Sequence, residues 1–432
     1  MPDQLVEFKV STPVKAIMTL TLALALFASW FVVRWYLGNT IAEYFHPEEH
    51  RLETAQMAVN LAPNDPLPHW RLGNLALKEL PPDQISVVVA EYEKAVSLSP
   101  NDYRLWMEFG GALEQAGDFD KSEKALREAV KLAPSYAYPR WYLGNLLLRT
   151  DRYAEGFAEL RRASEENEQF QSQLFNLAWQ LNKNDFDALR AAVGDSPGIR
   201  AAFSKYLVER GRYDDGLRLW NTLSPTEKRE SRVAADPIIA SLISAHHFYQ
   251  AMSLWNEVAP GPAYNAEIGQ ILDGGFENNL AHGPGAVFGW QVQSNSQVQI
   301  GIDAGQGHTG SRSLRIYFQV RSHIDTINVS QLVPVKPNTG YELESYVKTE
   351  RIESAETPVI VVVNADDEST LVVSPGASSG TTGWQRVSLS FKTGEKTEAV
   401  RVKMVRNSCS DSPVCPIFGT VWYDDFNLTP RK

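Results

Sequence analysis

The chain has 432 residues, of which 43% are hydrophobic and 22% charged, and it carries a net charge of -11 at pH 7. That length allows two or three domains, each with a core of its own. The acidic balance, with no block of Lys and Arg, argues against nucleic acid as a partner, because phosphate binding needs clustered cations.

Residues 16–37 form an apolar run in which Arg34 is the only charge. A bilayer needs about 20 such residues. Trp30, Trp35 and Tyr36 sit toward one end as interfacial aromatics, and Lys9 and Lys15 precede the run. The positive-inside rule then makes residues 1–15 a short cytoplasmic tail and 16–37 a transmembrane anchor, with the bulk of the chain periplasmic or otherwise extracytoplasmic. A cleaved signal peptide competes, since Ala25-Leu26-Phe27-Ala28 loosely resembles a cleavage site. Continuation of the apolar run through Val33 favours an uncleaved anchor.

Residues 46–262 are helical and repetitive. The clearest unit has apolar residues at helical spacing from Leu105 to Leu113, a break at Gly117-Asp118-Phe119, and a second periodic run from Ser122 to Leu132 that ends at Pro134. This predicts a helical hairpin. Trp106, Phe109-Gly110, Leu113, Ala129 and Pro134 resemble the tetratricopeptide (TPR) consensus of about 34 residues. Neighbouring copies contain Trp70, Leu72-Gly73, Ala95 and Pro100, and then Trp141, Leu143-Gly144 and Ala163. An earlier ending at Ala58 and Pro63 has a first helix that is missing or merged with the anchor. Later units, around Leu174, Gly216 and Trp255, follow by spacing only. The resemblance implies a solenoid of six or seven hairpins whose concave face docks protein partners. Trp70 with Asn74, and Trp141 with Asn145, lie at i and i+4 on one helix face and are candidates for that groove. The unit between them has Met107 and Gly111 instead. The competing reading has the tryptophans as inter-repeat packing and the asparagines solvated.

After Pro260-Gly261-Pro262 the composition changes to short alternating runs, which predicts a β-sandwich over residues 268–432. The fold class is therefore α + β multidomain: a transmembrane helix, an α-solenoid and a terminal sandwich. Leu272-Asp273-Gly274-Gly275-Phe276-Glu277, Gly289-Trp290, Gln331, Gly383-Trp384 and Trp422-Tyr423-Asp424-Asp425-Phe426 resemble the galactose-binding-like jelly-roll domains of carbohydrate-binding modules. That family implies a structural calcium held by Glu277 and Asp424 or Asp425, with Asp273 as a further ligand. Hydrogen-bonded carboxylates without metal are the alternative.

Glycan binding needs exposed aromatic faces beside polar groups. Alternation puts Leu314, Ile316, Phe318 and Val320 in the core, leaving Arg315, Tyr317 and Gln319 outside, and sets Tyr346 opposite Val347 and Tyr423 opposite Trp422. Tyr317, Tyr346 and Tyr423, with Arg315 and Gln319, are the glycan-binding candidates, whereas Trp290 and Trp384 read as core. Strand alternation also puts Trp422, Asp424, Phe426 and Leu428 together on the core side. Cys409 and Cys415 predict a disulfide and hence an oxidising compartment. No nucleophile elbow, phosphate loop or zinc-protease motif occurs, so no catalytic residue is assigned. Together these expectations describe an envelope adaptor near exopolysaccharide or cell-wall assembly. The alternative is a protein scaffold whose sandwich binds no sugar.

Overall fold

The computed structural model describes residues 11–44, 51–183, 185–278, 280, 287–293, 298–323, 327–406, 409 and 415–431. Two compact units divide the chain, Met1–Gly194 and Asp195–Lys432.

The first unit contains α1 (Thr12–Tyr44), α2 (Arg51–Leu61), α3 (Pro66–Glu79), α4 (Ile85–Leu98), α5 (Tyr103–Gln115), α6 (Phe119–Leu132), α7 (Ala137–Arg149), α8 (Tyr153–Glu166), α9 (Gln171–Asn182) and α10 (Phe186–Val193). From α3 onward they pair as consecutive antiparallel hairpins. Local chemistry sets the boundaries of the clearest pair. Asp102 caps α5 by accepting from Arg104 N, Gly117 takes φ +81° to end it, and Asp118 caps α6 by accepting from Lys121 N. The small consensus residues mark helix crossings. A Cβ on Gly110 would stand 2.7 Å from Leu126 Cγ, and Ser122 Oγ donates to the Gly110 carbonyl at 2.7 Å.

Helix α1 is long and apolar enough to cross a membrane, and its apolar stretch is exposed throughout. Its final turns have a different role. Gly38 packs on Ala62 and the Ala58 carbonyl, Arg34 Nη2 donates to Asn60 O at 2.8 Å, and Trp35 Nε1 donates to Asp65 Oδ2 at 2.7 Å. The end of α1 is thus the first helix of the first hairpin, with α2 as the second. The sequence carries the reason: Trp35-Tyr36-Leu37-Gly38-Asn39 repeats the pentapeptide Trp141-Tyr142-Leu143-Gly144-Asn145 of α7.

The second unit opens with α11 (Pro197–Glu209), α12 (Tyr213–Trp220), α13 (Pro225–Glu230), α14 (Arg232–Ser244) and α15 (Phe248–Val258), followed by ten strands. These are β1 (Gln291–Gln293), β2 (Val298–Asp303), β3 (Ser313–His323), β4 (Asn328–Pro334), β5 (Gly340–Glu353), β6 (Val359–Asn364), β7 (Thr370–Val373), β8 (Gly380–Lys392), β9 (Ala399–Val405) and β10 (Pro416–Pro430). They form two antiparallel five-stranded sheets, β1-β4-β9-β6-β7 and β2-β3-β10-β5-β8, packed as a jelly-roll sandwich. Phe276, Ile316, Phe318, Leu343, Val402 and Phe426 fill the space between them. A second core crosses the composition break at Pro260-Gly261-Pro262. Ile239, Leu242 and Trp255 pack with Phe288, Leu332 and Ala399, and Tyr249 donates to the Val335 carbonyl at 2.6 Å. The last hairpins and the sandwich therefore share buried apolar surface.

Candidate functional site

The outer face of the β2-β3-β10-β5-β8 sheet collects most of the sandwich's polar and aromatic candidates. Register places Gln299, Tyr317, Thr420 and Glu350 in one row across four strands. The next row holds Gly301, Arg315, Trp422 and Lys348, and Tyr346 pairs with Asp424 on one side and Arg386 on the other. Tyr317 and Tyr346 are half-buried on this shared face, as strand alternation predicts. Two strand spacings and four residues of rise separate them by about 16 Å, so a ligand touching both must be a chain of sugars. The Arg315 guanidinium lies 5.1 Å from the Tyr317 ring centre, and Tyr346 stacks on His308 at 3.6 Å with Trp384 edge-on to His308 at 5.8 Å. Gln319 lies on β3, but its side chain falls outside the described residues.

Tyr423 does not join this face. It is 1% exposed and packs in the inter-sheet core, which corrects its expected exposure. The physical reason is a register shift between Asp424 and Asn427, where Asp425 takes φ +50°. The bulge reverses the alternation, so Val421 and Tyr423 share the core side with Phe426 and Leu428, while Trp422 and Asp424 turn outward. Trp422 is nonetheless covered: its Nε1 donates to Asp303 Oδ2 at 2.9 Å, and Lys348 Nζ stands 5.3 Å from its ring centre. Trp384 is a second correction. A register shift beside Lys348 keeps it half-buried outside the main core, whereas Trp290 is in the core at 3% exposure.

The loop of residues 306–312 folds over one end of the face and engages the acidic residues. Glu277 accepts from Ser311 N at 2.9 Å and Arg312 N at 3.1 Å. Asp273 accepts from Glu277 N at 3.0 Å. Asp424 is fully buried, accepting from His308 N at 2.6 Å and Asp425 N at 2.8 Å. Burial pushes its carboxyl above the usual carboxylate range, against those two hydrogen bonds. Asp425 accepts from Thr309 Oγ1 at 2.6 Å and lies 2.6 Å from His308 Nδ1. Among the described residues no three acidic, His or Cys side chains converge as a metal shell. Each of the carboxylates implied as calcium ligands accepts at least one N–H or O–H donor from the protein.

The glycine signature has a steric basis. A Cβ on Gly274 would collide with the Phe426 carbonyl, and Phe426 N donates to Gly274 O at 2.9 Å. Gln331, 1% exposed, completes the opening segment by accepting from Leu272 N and donating to Leu272 O. Cys409 and Cys415 form a disulfide, Cα to Cα 5.2 Å, and the buried Arg406 donates to the Cys415 carbonyl at 2.6 Å.

Residues 269–409 match the family described as carbohydrate binding domain, and residues 89–137 and 108–169 match the tetratricopeptide repeat. The chain joins TPR repeats to a carbohydrate-binding-type domain. Both families are non-catalytic. No curated protein matches the chain. Similar solved structures include the MamA RS-1 ArsTM double mutant, 15% identical with TM-score 0.33, covering 44% of this chain and 96% of that one. A CBM4 structure is 12% identical with TM-score 0.29, covering 37% and 99%. YrrB, a TPR protein with an unusual peptide-binding site, is 16% identical with TM-score 0.25, covering 48% and 91%.

In the TPR repeats, Trp70 packs among Tyr92, Ala95, Leu105 and Phe109, and Trp141 stacks on Phe170 at 4.5 Å. Both tryptophans are inter-repeat packing. Asn74 and Asn145 are half-buried and donate back to the carbonyls of Trp70 and Trp141 at 3.1 and 2.8 Å. Asn39 does the same to Trp35 at 3.1 Å, so the pattern has a third copy in α1. Sequence reasoning missed Asn39 because the apolar run masked the repeat. It missed His308 and Trp384 because a long-range loop and a bulge, rather than alternation, bring them to the carbohydrate-binding-type sheet.

Proposed function

We propose that the chain is a membrane-anchored extracytoplasmic adaptor. On this reading α1 holds it in the membrane with its N-terminus cytoplasmic, the TPR repeats dock a protein partner, and the terminal domain binds an envelope glycan. The observation that carries the glycan reading is the shared face of Tyr317 and Tyr346, flanked by Arg315, His308 and Trp384. Half-exposed rings beside charged and amide groups suit pyranose faces and hydroxyls. The disulfide supports an oxidising compartment. A place near exopolysaccharide or cell-wall assembly follows from combining anchor, docking array and glycan face.

Affinity electrophoresis of residues 195–432 through gels containing a panel of polysaccharides tests this. Retardation by one polysaccharide, weakened in Tyr346→Ala, is the expected result. No retardation on any of them, with or without calcium, would leave a scaffold without sugar binding. The apolar surface that Phe288 and Leu332 share with α14 and α15 favours that second reading, since it gives the sandwich a structural task.

A further inference from the structure

We propose that the cleft between the two sheets, beside β8, is a second binding site that takes a single neutral sugar unit or a polyol of similar size. It lies on the opposite side of its sheet from Tyr346, and it does not rest on the glycan reading of the outer face.

The cleft has a volume of about 360 Å³ and is lined by residues of β5, β6, β8 and β10 and by the segment 374–378. Pockets for small ligands begin near this size. Apolar walls come from Val347, Ile360 and Val387. Tyr423, 1% exposed, lines the cleft, and its hydroxyl is buried without a hydrogen-bond partner. A phenol so placed costs free energy unless something entering the cleft meets it. At the mouth, Ser378 Oγ donates to Gln385 Oε1 at 2.7 Å, which leaves the amide N–H groups of Gln385 as further donors.

The charge of the lining selects the ligand class. Arg386 is the charged residue among those that line the cleft, but it sits cross-strand from Tyr346 and its guanidinium pairs with Glu344 on the outer face, so the side chains that face the cleft carry no charge. An anion or a cation that entered it would find no countercharge to offset its desolvation. A neutral molecule with several hydroxyls and an apolar face meets no such opposition. It would give the Tyr423 hydroxyl a partner, accept from Gln385, and lay its carbon face on the valines.

The test uses the full chain in detergent, titrated with methyl α- and β-glucopyranoside, methyl galactopyranoside, methyl mannopyranoside and myo-inositol, and read by saturation-transfer NMR. The expected result is saturation transfer to at least one of these, with affinity reduced about tenfold or more in Tyr423→Phe and abolished in Ala377→Leu, which fills the cleft. Tyr423→Phe removes one oxygen and should keep the wild-type thermal transition, so a lost signal reports binding. Absence of binding by every compound, with Tyr423→Phe as stable as or more stable than wild type, would mean that the cleft holds only solvent and would overturn the proposal. Binding equally strong in both variants would put the sugar elsewhere and overturn it too.

Discussion

His69 shows how a single residue links the fold of the repeats to pH. Its Nδ1 lies 2.6 Å from Glu91 Oε2 and its Nε2 lies 3.0 Å from the Pro63 carbonyl. Both neighbours are acceptors, and only the imidazolium has two N–H groups to offer them. Burial opposes the charge, but the bonds to Glu91 and Pro63 outweigh it and raise the His69 pKa above its ordinary 6.5. The folded state therefore binds the proton more tightly than the unfolded chain does. The resulting stabilisation is fully present below pH 6.5 and is lost as pH rises through the folded value. Calorimetry should show the first unit's transition moving to lower temperature between pH 6 and 8.5, and His69→Phe should remove that pH dependence. On the outer sheet face, Tyr317→Ala and Tyr346→Ala should each weaken polysaccharide retention roughly three- to tenfold, the range for about 0.5–1.5 kcal/mol per aromatic contact. Unchanged mobility in both would remove the face as the glycan site. The acidic cluster gives a third expectation. Because Glu277, Asp424 and Asp425 already accept protein donors, a chelator should leave the melting temperature of the second unit unchanged. A fall restored by calcium would show an ion at the cluster.

At the scale of elements, legibility follows from how local each cause is. Hairpins were readable because caps, helix-breaking glycines and small crossing residues act within about 35 residues. The α5–α6 boundaries and the Gly110 contact follow from residues that a reader of the sequence can point to. Most strands were equally plain where alternation runs unbroken, as in β5. Alternation failed at Asp424-Asp425 and at Gly383-Trp384, where one extra residue flips every later side chain. That is how Tyr423 moved inward and Trp384 outward. The loop over Asp424 could not be read at all, because its partners lie 116 residues away. Close crossings make a direct test. In α1, a Cβ on Gly38 would lie 2.7 Å from Ala62 Cβ and 3.0 Å from the Ala58 carbonyl. Overpacking of this kind costs about 1–3 kcal/mol. Gly38→Val should make residues 51–61 sensitive to limited proteolysis, and equal resistance would show that α1 and α2 do not depend on each other.

At the scale of the molecule, the shared core in the second unit sets where the chain can be divided. A fragment beginning at 195 keeps Ile239, Leu242 and Trp255 over Phe288, Leu332 and Ala399. One beginning at 264 uncovers those three and should aggregate or melt at markedly lower temperature, as measured by light scattering and calorimetry. The end of α1 has a consequence for the first unit. About 20 residues of helix suffice for a hydrocarbon layer, and each further residue adds about 1.5 Å. If α1 anchors the chain and the hydrocarbon layer begins at Ala16, the pentapeptide Trp35-Tyr36-Leu37-Gly38-Asn39 starts about 20 residues later, at the lipid headgroups. The first repeat would then stand on the bilayer without slack, as a post stands in its footing. Tilting α1 would tilt the groove with it, and a partner would have to bring its docking segment down to a fixed height above the lipid.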